Sequence, residues 1–399
     1  MSANPEVVGE SEDKGVGRRW TRSIGEVFDP KNNALNAWRL ILATGVILCH
    51  AWPLTGRRIG FEPIHQLMED VWVDGFFAIS GFLITWSWFR QKRTRDYFFA
   101  RGLRLLPGLW ICLIVTAFVI APIAVAIQGG SALKILMSRA PFDYVLGNSA
   151  VMLVEHDIAG TPSGIPWLGE WNGSLWTLFW EALCYIAIAG LGFVGLLGRR
   201  WVIPVLLVLV VYWSAILPPY SRLIDAPPGA HVQIDAATQQ LVMSGMAARF
   251  GLMFLTGALL YRFREVIPAR WSLVAVSVAI VLASSALPNY RVIGAIPLAY
   301  AIIVSGALIR NKRLTLRTDV SYGVYIYAFP IQQLLVICGL AFLAPPVFAI
   351  VATAVTLPLA AMSWYLIEKP ALKLKTRLNR KNVAEATQQP PDDVGVQRG

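Results

Sequence analysis

The sequence predicts an all-α, polytopic membrane protein with about ten transmembrane helices and both termini in the cytoplasm. Hydrophobic residues make up 56% of the 399 positions and the mean hydropathy is +0.56, whereas soluble domains are usually about 45–50% apolar. The apolar residues form blocks of roughly 20, the length that crosses a bilayer core of roughly 30 Å. Because backbone polar groups in lipid must be satisfied internally, these blocks are predicted to be helices.

The polar ends and the apolar blocks divide the chain into three parts. Residues 34–375 are predicted to form one membrane domain, and residues 1–33 and 376–399 are predicted to be flexible cytoplasmic tails. The N-terminal tail has no apolar stretch of the kind found in a signal peptide. An apolar segment at 144–154 is too short to span and is predicted to be re-entrant or interfacial. The predicted spans are 36–54, 71–89, 105–127, 174–197, 201–217, 246–262, 271–287, 291–309, 321–343 and 346–366.

The basic residues indicate the orientation of these spans. A formal net charge of +11 suits a nucleic-acid-binding protein, but the basic residues lie in loops between apolar blocks and form no cluster within a soluble domain. We therefore expect no nucleic-acid partner. Alternate loops are rich in Lys and Arg, as cytoplasmic loops are, and an even number of spans places both termini on that side. The basic segments are 90–104, 199–200, 262–270, 310–317 and 373–381.

The cysteines favour neither a disulfide nor a metal site. All four lie inside apolar blocks without the spacing of metal ligands, so we interpret them as small buried hydrophobic residues. They are Cys49, Cys112, Cys184 and Cys338.

Arg39 and His50 share the first predicted span. Their offset of 11 residues is close to three helical turns, so both side chains face the same way and lie roughly 16 Å apart along the axis. His50 would then lie past the middle of the membrane, and an ionisable residue at that depth suggests function. The alternative is a structural histidine hydrogen-bonded to a neighbouring helix.

Two further spans carry acidic residues. Glu181 lies well inside an apolar span with Tyr185 one turn away on the same face, and it is either functional or bonded to an Arg or His of another helix. Asp74 lies near the outer end of the second span, where it would be functional if buried and unremarkable if it faced water. Ser80 in the same span is more typical of helix packing than of a nucleophile, since no nucleophile elbow is present.

Arg101 and Arg104 lie at the cytoplasmic entrance of the third span. They are three residues apart and therefore lie on one helix face. Two guanidinium groups on one face suit the binding of phosphates. The alternative is ordinary anchoring by basic residues on the cytoplasmic side.

Taken in order, these segments resemble the acyltransferase-3 family of bacterial integral membrane enzymes, over roughly residues 34–375. The family pattern has Arg and His with ten residues between them, an FFxxSGF run, an RxxR pair, SLW(x4)E(x3)Y, YxxYxxHxP and a final Glu-x-Pro. One departure is Ala328, which stands where relatives usually have His. The matching positions are Arg39, His50, 76–82, Arg101, Arg104, Ser174, Leu175, Trp176, Glu181, Tyr185, Tyr322, Tyr325, Pro330, Glu368 and Pro370.

The resemblance implies a multi-pass O-acyltransferase of the bacterial inner membrane that moves an acetyl or other short acyl group from acyl-CoA to a hydroxyl of a glycan, glycolipid or similar acceptor. It implies a catalytic role for His50 as general base or acyl carrier, assisted by Glu181. No permanently bound cofactor and no metal are expected. The implied donor-binding residues are Arg39, Arg101 and Arg104, and the implied acceptor-binding residues are Asp74, Trp176 and Tyr185. Besides acyl-CoA, the acceptor and the lipid bilayer, other envelope-assembly membrane proteins are expected partners.

Two alternatives use the same residues differently. In a transporter or flippase, the intramembrane Arg, His, Asp and Glu residues would form an ion path. Such proteins often show inverted repeats and interrupted helices, and neither is evident in the sequence. A non-catalytic scaffold would leave the shared face of Arg39 and His50 unexplained.

Overall fold

The computed structural model describes residues 22–374, except 92, 219–234, 312 and 317. The predicted C-terminal tail, most of the predicted N-terminal tail and much of the outer segment 218–245 lie outside these residues. So do the basic residues Lys92, Lys312, Arg317 and those beyond Leu374.

The described residues form helices joined by loops, without a strand beyond isolated bridges. The predicted all-α class is therefore confirmed. Ten helices in this part of the chain have 14 residues or more. In chain order they are α1 (Leu35–Leu54), α2 (Glu62–Arg90), α3 (Thr94–Val115), α4 (Trp176–Phe193), α5 (Val202–Ile216), α6 (Ala236–Arg262), α7 (Trp271–Ser284), α8 (Arg291–Leu308), α9 (Ser321–Ile337) and α10 (Pro345–Ser363).

Six of the helical segments are long and apolar enough to cross a membrane, and three shorter ones are apolar. The six comprise α1, α3 with its continuation to Ile127, α4, α6, α8, and α10 with its continuation to Leu374. The three shorter ones are α5, α7 and α9. The remaining helix, α2, carries Glu69, Asp70 and Asp74. Each predicted span overlaps one of these ten helices, while the number of crossings and the side of the termini stay predictions.

Three helices begin earlier than hydropathy predicts. Helix α2 begins at Glu62 rather than at 71, α3 at Thr94 rather than at 105, and α6 at Ala236 rather than at 246. Some of the polar groups in these early turns have partners: the Gln66 side-chain amide of α2 donates to the Pro288 carbonyl at 3.0 Å, and the Asp235 side chain caps α6 by accepting from the Thr238 N–H. The short apolar segment 144–154 is divided, because the helix Ala140–Asn148 ends within it.

Helices α2 and α6 make the most extensive helix–helix contact in the described structure. They approach most closely where Gly81 faces Gly257. A Cβ atom on Gly81 would lie 1.9 Å from the Phe254 carbonyl oxygen, and one on Gly257 would lie 1.9 Å from that of Ala78. Small residues at this crossing let the two backbones touch, which fixes the position of Ser80 in α2.

The loop between Asn148 and Trp176 lies against α9. The Gln333 side-chain amide donates to the Trp167 and Glu170 carbonyls at 3.0 and 2.8 Å. Asn172 donates to the Ile326 carbonyl at 2.8 Å. This hydrogen bonding holds the loop beside the end of α1 that carries His50.

Candidate active site

A cavity of about 430 Å³ opens within the helix bundle. Its walls come from α1, α2, α3, α4 and α9, with Trp364 and Leu372 beyond α10. Five of the predicted site residues line it, three of them arginines. The polar residues that line it include Asn36, Arg39, Ser80, Ser87, Arg101, Arg104, Thr177, Glu181, Tyr185, Asp319, Ser321, Tyr322 and Tyr325.

Glu181 belongs to a hydroxyl–carboxylate network in this cavity. Its Oε1 accepts a hydrogen bond from Ser80 Oγ at 3.3 Å and a shorter one from the Tyr185 hydroxyl. The bond from Tyr185 follows from the four-residue spacing on α4, whereas the bond from Ser80 depends on how α2 packs against α4. The partners of Glu181 are therefore hydroxyl groups, rather than the Arg or His considered in the sequence analysis.

Asp319 joins two of the arginines. Its Oδ2 accepts from Arg39 Nη1 at 2.9 Å and from Arg104 Nη2 at 2.5 Å, and its Oδ1 accepts from Ser321 Oγ at 2.5 Å. The side chain is buried. This aspartate ties α1 to α3 just before α9 begins. Sequence reasoning missed it, although an acidic residue directly before an apolar span is a visible signal.

Arg101 differs from Arg104 in its surroundings. Its guanidinium carbon lies 5.8 Å from the centre of the Tyr185 ring, a cation–π distance. Among the described residues we find no ion pair to Arg101, and its buried Nε has no hydrogen-bond partner. Arg101 and Arg104, which were predicted to act alike, therefore differ. Both line the cavity, but only Arg104 is in an ion pair among the described residues.

His50 is not among the residues that line the cavity. Its ring lies 5.1 Å from that of Phe329 and 6.4 Å from that of Trp167, edge to face in both cases. Its Nδ1 is buried without a hydrogen-bond partner among the described residues. Tyr325, one turn before Phe329 on α9, does line the cavity. His50 therefore lies one turn of α9 beyond the cavity wall.

Asp74 lies in a buried charge cluster and is not among the residues that line the cavity. Its Oδ1 accepts from Arg249 Nε at 2.8 Å, and its Oδ2 accepts from Arg291 Nε at 2.6 Å and from the Tyr290 hydroxyl at 2.5 Å. Asp70 pairs with the same two arginines at 2.9 and 2.6 Å. The cluster joins α2, α6 and α8. Arg249 had a sequence signal that we did not use, since it is a charged residue inside a predicted span.

Trp176 also lies outside the cavity lining, with its ring 5.5 Å from that of Phe250. Tyr185 is thus the one predicted acceptor-binding residue that the structure places at the cavity. The acceptor-binding roles of Asp74 and Trp176 stay predictions.

The late tyrosines hold α9 in place. The Tyr322 hydroxyl donates to the Leu105 carbonyl at 2.7 Å, and the Tyr325 hydroxyl donates to the Ser174 carbonyl at 3.1 Å. Ala328, where a histidine is usual in the predicted family, is fully buried. These bonds align α9 with α3 and α4, the helices that carry Arg104 and Glu181.

The comparisons with known proteins identify the family. Residues 32–365 match a family model described as an acyltransferase domain, that of acyltransferase-3. The chain belongs to this acyltransferase family. The predicted resemblance and the predicted enzyme class are confirmed, and the acyltransferase is a multi-pass membrane protein. Membership sets aside the transporter alternative, since the intramembrane charges need no ion path to explain them.

Two relatives match this acyltransferase over most of their length. It is 27% identical over 372 residues to nodulation protein 10 of Rhizobium leguminosarum bv. viciae, covering 89% of this chain and 97% of the relative. It is 28% identical over 358 residues to an O-acetyl transferase of Shigella phage Sf6, covering 85% of this chain and 96% of the relative. No solved structure matches the chain.

Proposed function

We propose that this acyltransferase moves an acetyl or other short acyl group from acyl-CoA to a hydroxyl of a cell-envelope glycan, glycolipid or similar acceptor at the bacterial inner membrane. The observation that carries the proposal is one cavity in which three guanidinium groups lie near the network of Glu181, Tyr185 and Ser80. The similarity to a phage O-acetyl transferase supports acetyl as the group and oxygen as its acceptor.

The arginine end of the cavity suits the donor. Guanidinium groups bind phosphate oxygens through charge-assisted hydrogen bonds, and coenzyme A carries several phosphates at one end. A cavity of about 430 Å³ falls in the usual range for small-molecule sites, about 300–1,000 Å³. The pantetheine arm would extend from the arginines past Glu181 towards Tyr325, with the thioester at its tip.

The chemistry requires a base for the acceptor. The base removes the proton of the acceptor hydroxyl, the oxygen attacks the thioester carbonyl, and the C–S bond breaks to release the coenzyme A thiolate, which then takes up a proton. We assign the base to His50, because a neutral imidazole nitrogen without a partner can accept that proton. Glu181, which accepts hydrogen bonds from Ser80 and Tyr185, has its role on the donor side of the cavity.

The first test measures acylated acceptor in membranes of a deletion strain that expresses each variant, by mass spectrometry of its envelope glycans and lipids. His50→Gln keeps a hydrogen-bonding amide but cannot accept the proton, so product should fall by about 10²–10⁴-fold. His65→Gln is the matched control, since His65 lies in the first turns of α2 beside Glu69, and it should keep normal activity.

The outcomes separate the assignments. Normal product from His50→Gln with none from Glu181→Gln would move the base to Glu181. Normal product from both variants, at normal protein levels, would contradict this site altogether.

A further inference from the structure

Asp319 occupies the place where an anionic ligand of two arginines would lie. Its Oδ2 lies 2.9 Å from Arg39 Nη1 and 2.5 Å from Arg104 Nη2. Such distances are typical of guanidinium groups with carboxylate or phosphate oxygens. Two cationic side chains on different helices thus converge on one anionic oxygen in the wall of the cavity.

The charges of the cavity are nearly balanced before any donor enters. Three arginines face it together with two carboxylates, Asp319 and Glu181. The carboxylate of Asp319 lowers the repulsion between Arg39 and Arg104, which would otherwise lie close together in a setting of low dielectric. It also reduces the attraction of both side chains for any other anion.

We propose that Asp319 is an internal counter-ion that competes with the donor phosphates for Arg39 and Arg104 and so sets the affinity for coenzyme A. The inference rests on the proposed function for the identity of the donor. Arg101, which has no such competitor among the described residues, makes the first contact with a phosphate. The competition lowers the affinity for the coenzyme A product and favours its release.

The opposing view is that Asp319 holds the two arginines in the geometry that the donor needs. The two views predict opposite changes in the Kd of coenzyme A when Asp319 is replaced. Removal of a competitor tightens donor binding, whereas removal of a support weakens it. A merely structural residue gives no gain of affinity when it is replaced.

The experiment measures the Kd of coenzyme A for the purified full-length protein by isothermal titration calorimetry. Asp319→Asn keeps the size of the side chain and one acceptor oxygen but removes the charge, and should lower the Kd about tenfold, equivalent to about 1.4 kcal/mol. Asp96→Asn removes the same charge from the first turn of α3, outside the cavity lining, and should leave the Kd unchanged.

A double-mutant cycle adds a second measurement. Arg104→Ala should raise the Kd more in the Asp319→Asn background than in the wild type, because Arg104 is free of its competitor only there. Asp319→Ser replaces Asp319→Asn in both measurements if the asparagine variant does not fold.

An unchanged or higher Kd for Asp319→Asn, with the wild type binding coenzyme A, overturns the inference and leaves the proposed function standing. An equal effect of Arg104→Ala in both backgrounds also overturns the inference alone. Absence of coenzyme A binding by the wild type overturns the proposed donor and this inference together.

Discussion

Glu170 is a single residue that fixes an aromatic side chain beside His50. Its Oε2 accepts from Trp167 Nε1 at 2.9 Å, and its Oε1 lies 3.4 Å from His156 Nδ1. The Trp167 ring in turn contacts the rings of His50 and Phe329. One carboxylate of the loop between Asn148 and Trp176 therefore orients the tryptophan next to the proposed base.

The contact between His156 and Glu170 should make the stability of this loop depend on pH. The hydrogen bond to the Glu170 carboxylate raises the pKa of His156 above its usual value of about 6.5. A raised pKa means that the contribution is fully present below about pH 6.5 and is lost as the pH rises through the higher value. His156→Gln should therefore lower the melting temperature at about pH 5.5 and have a smaller effect at about pH 8.5.

The expected difference is below about 1 kcal/mol, because the His156 side chain is 45% exposed and solvent screens the pair. Thermal unfolding in detergent at both pH values measures it. Glu170→Gln is the control, and in that background the pH-dependent effect of His156→Gln should disappear. An equal loss at both pH values would contradict the interpretation.

At the level of helices, the crossing of α2 and α6 sets the shape of one cavity wall. Phe77 of α2, which lines the cavity, stacks on Phe250 of α6 with ring centres 4.2 Å apart. Nearby, the backbones touch where Gly81 faces Gly257. Any side chain at these two glycines must push the helices apart and move the residues of that wall.

Gly257→Ala should destabilise the protein and weaken donor binding together. The added Cβ would meet the Ala78 carbonyl oxygen at 1.9 Å, and such overpacking costs about 1–3 kcal/mol. Thermal unfolding and coenzyme A binding measure the two effects. Gly245→Ala is the matched control on the same helix, because its Cβ would meet nothing within 4 Å. Equal melting temperatures for the two variants would show that the crossing tolerates a side chain.

On the scale of the whole molecule, the basic segments and the proposed site predict a common orientation. The arginines of the cavity lie towards the predicted cytoplasmic side, where acyl-CoA is found. The loop that covers His50 lies towards the predicted outer side. The donor and the acceptor would thus approach from opposite faces of the membrane.

Cysteine labelling in intact cells tests this orientation. Cys338 is exposed, so its interpretation as a buried residue was wrong. In a Cys338→Ser background, which removes that exposed thiol, a membrane-impermeant maleimide should label Ser163→Cys and should label Arg200→Cys only after lysis. Both positions are exposed and lie on either side of α4. A reporter fused at Ala384, outside the described residues, should report the same side as Arg200. Labelling of both cysteines in intact cells would contradict the ten-span arrangement.

The sequence by itself determined the features that depend on local spacing. Blocks of apolar residues predicted the helices, since a helix in lipid satisfies its own backbone. The spacing on α4 brought Glu181 and Tyr185 together, because residues four apart share a helix face. Where a helix starts with polar turns, as α2, α3 and α6 do, hydropathy misplaced its beginning, because hydropathy detects only the apolar part of a helix.

Only the tertiary structure decided which polar side chains from distant parts of the chain contact each other. Asp319 meets Arg39 across 280 positions of the chain, and Asp74 meets Arg249 across 175. It also placed His50 beside Trp167 rather than in the cavity with Arg39, although both lie on one face of α1. Local spacing determines which residues share a face of a helix. The rotation and packing of the neighbouring helices determine which residues contact that face at each depth in the bundle.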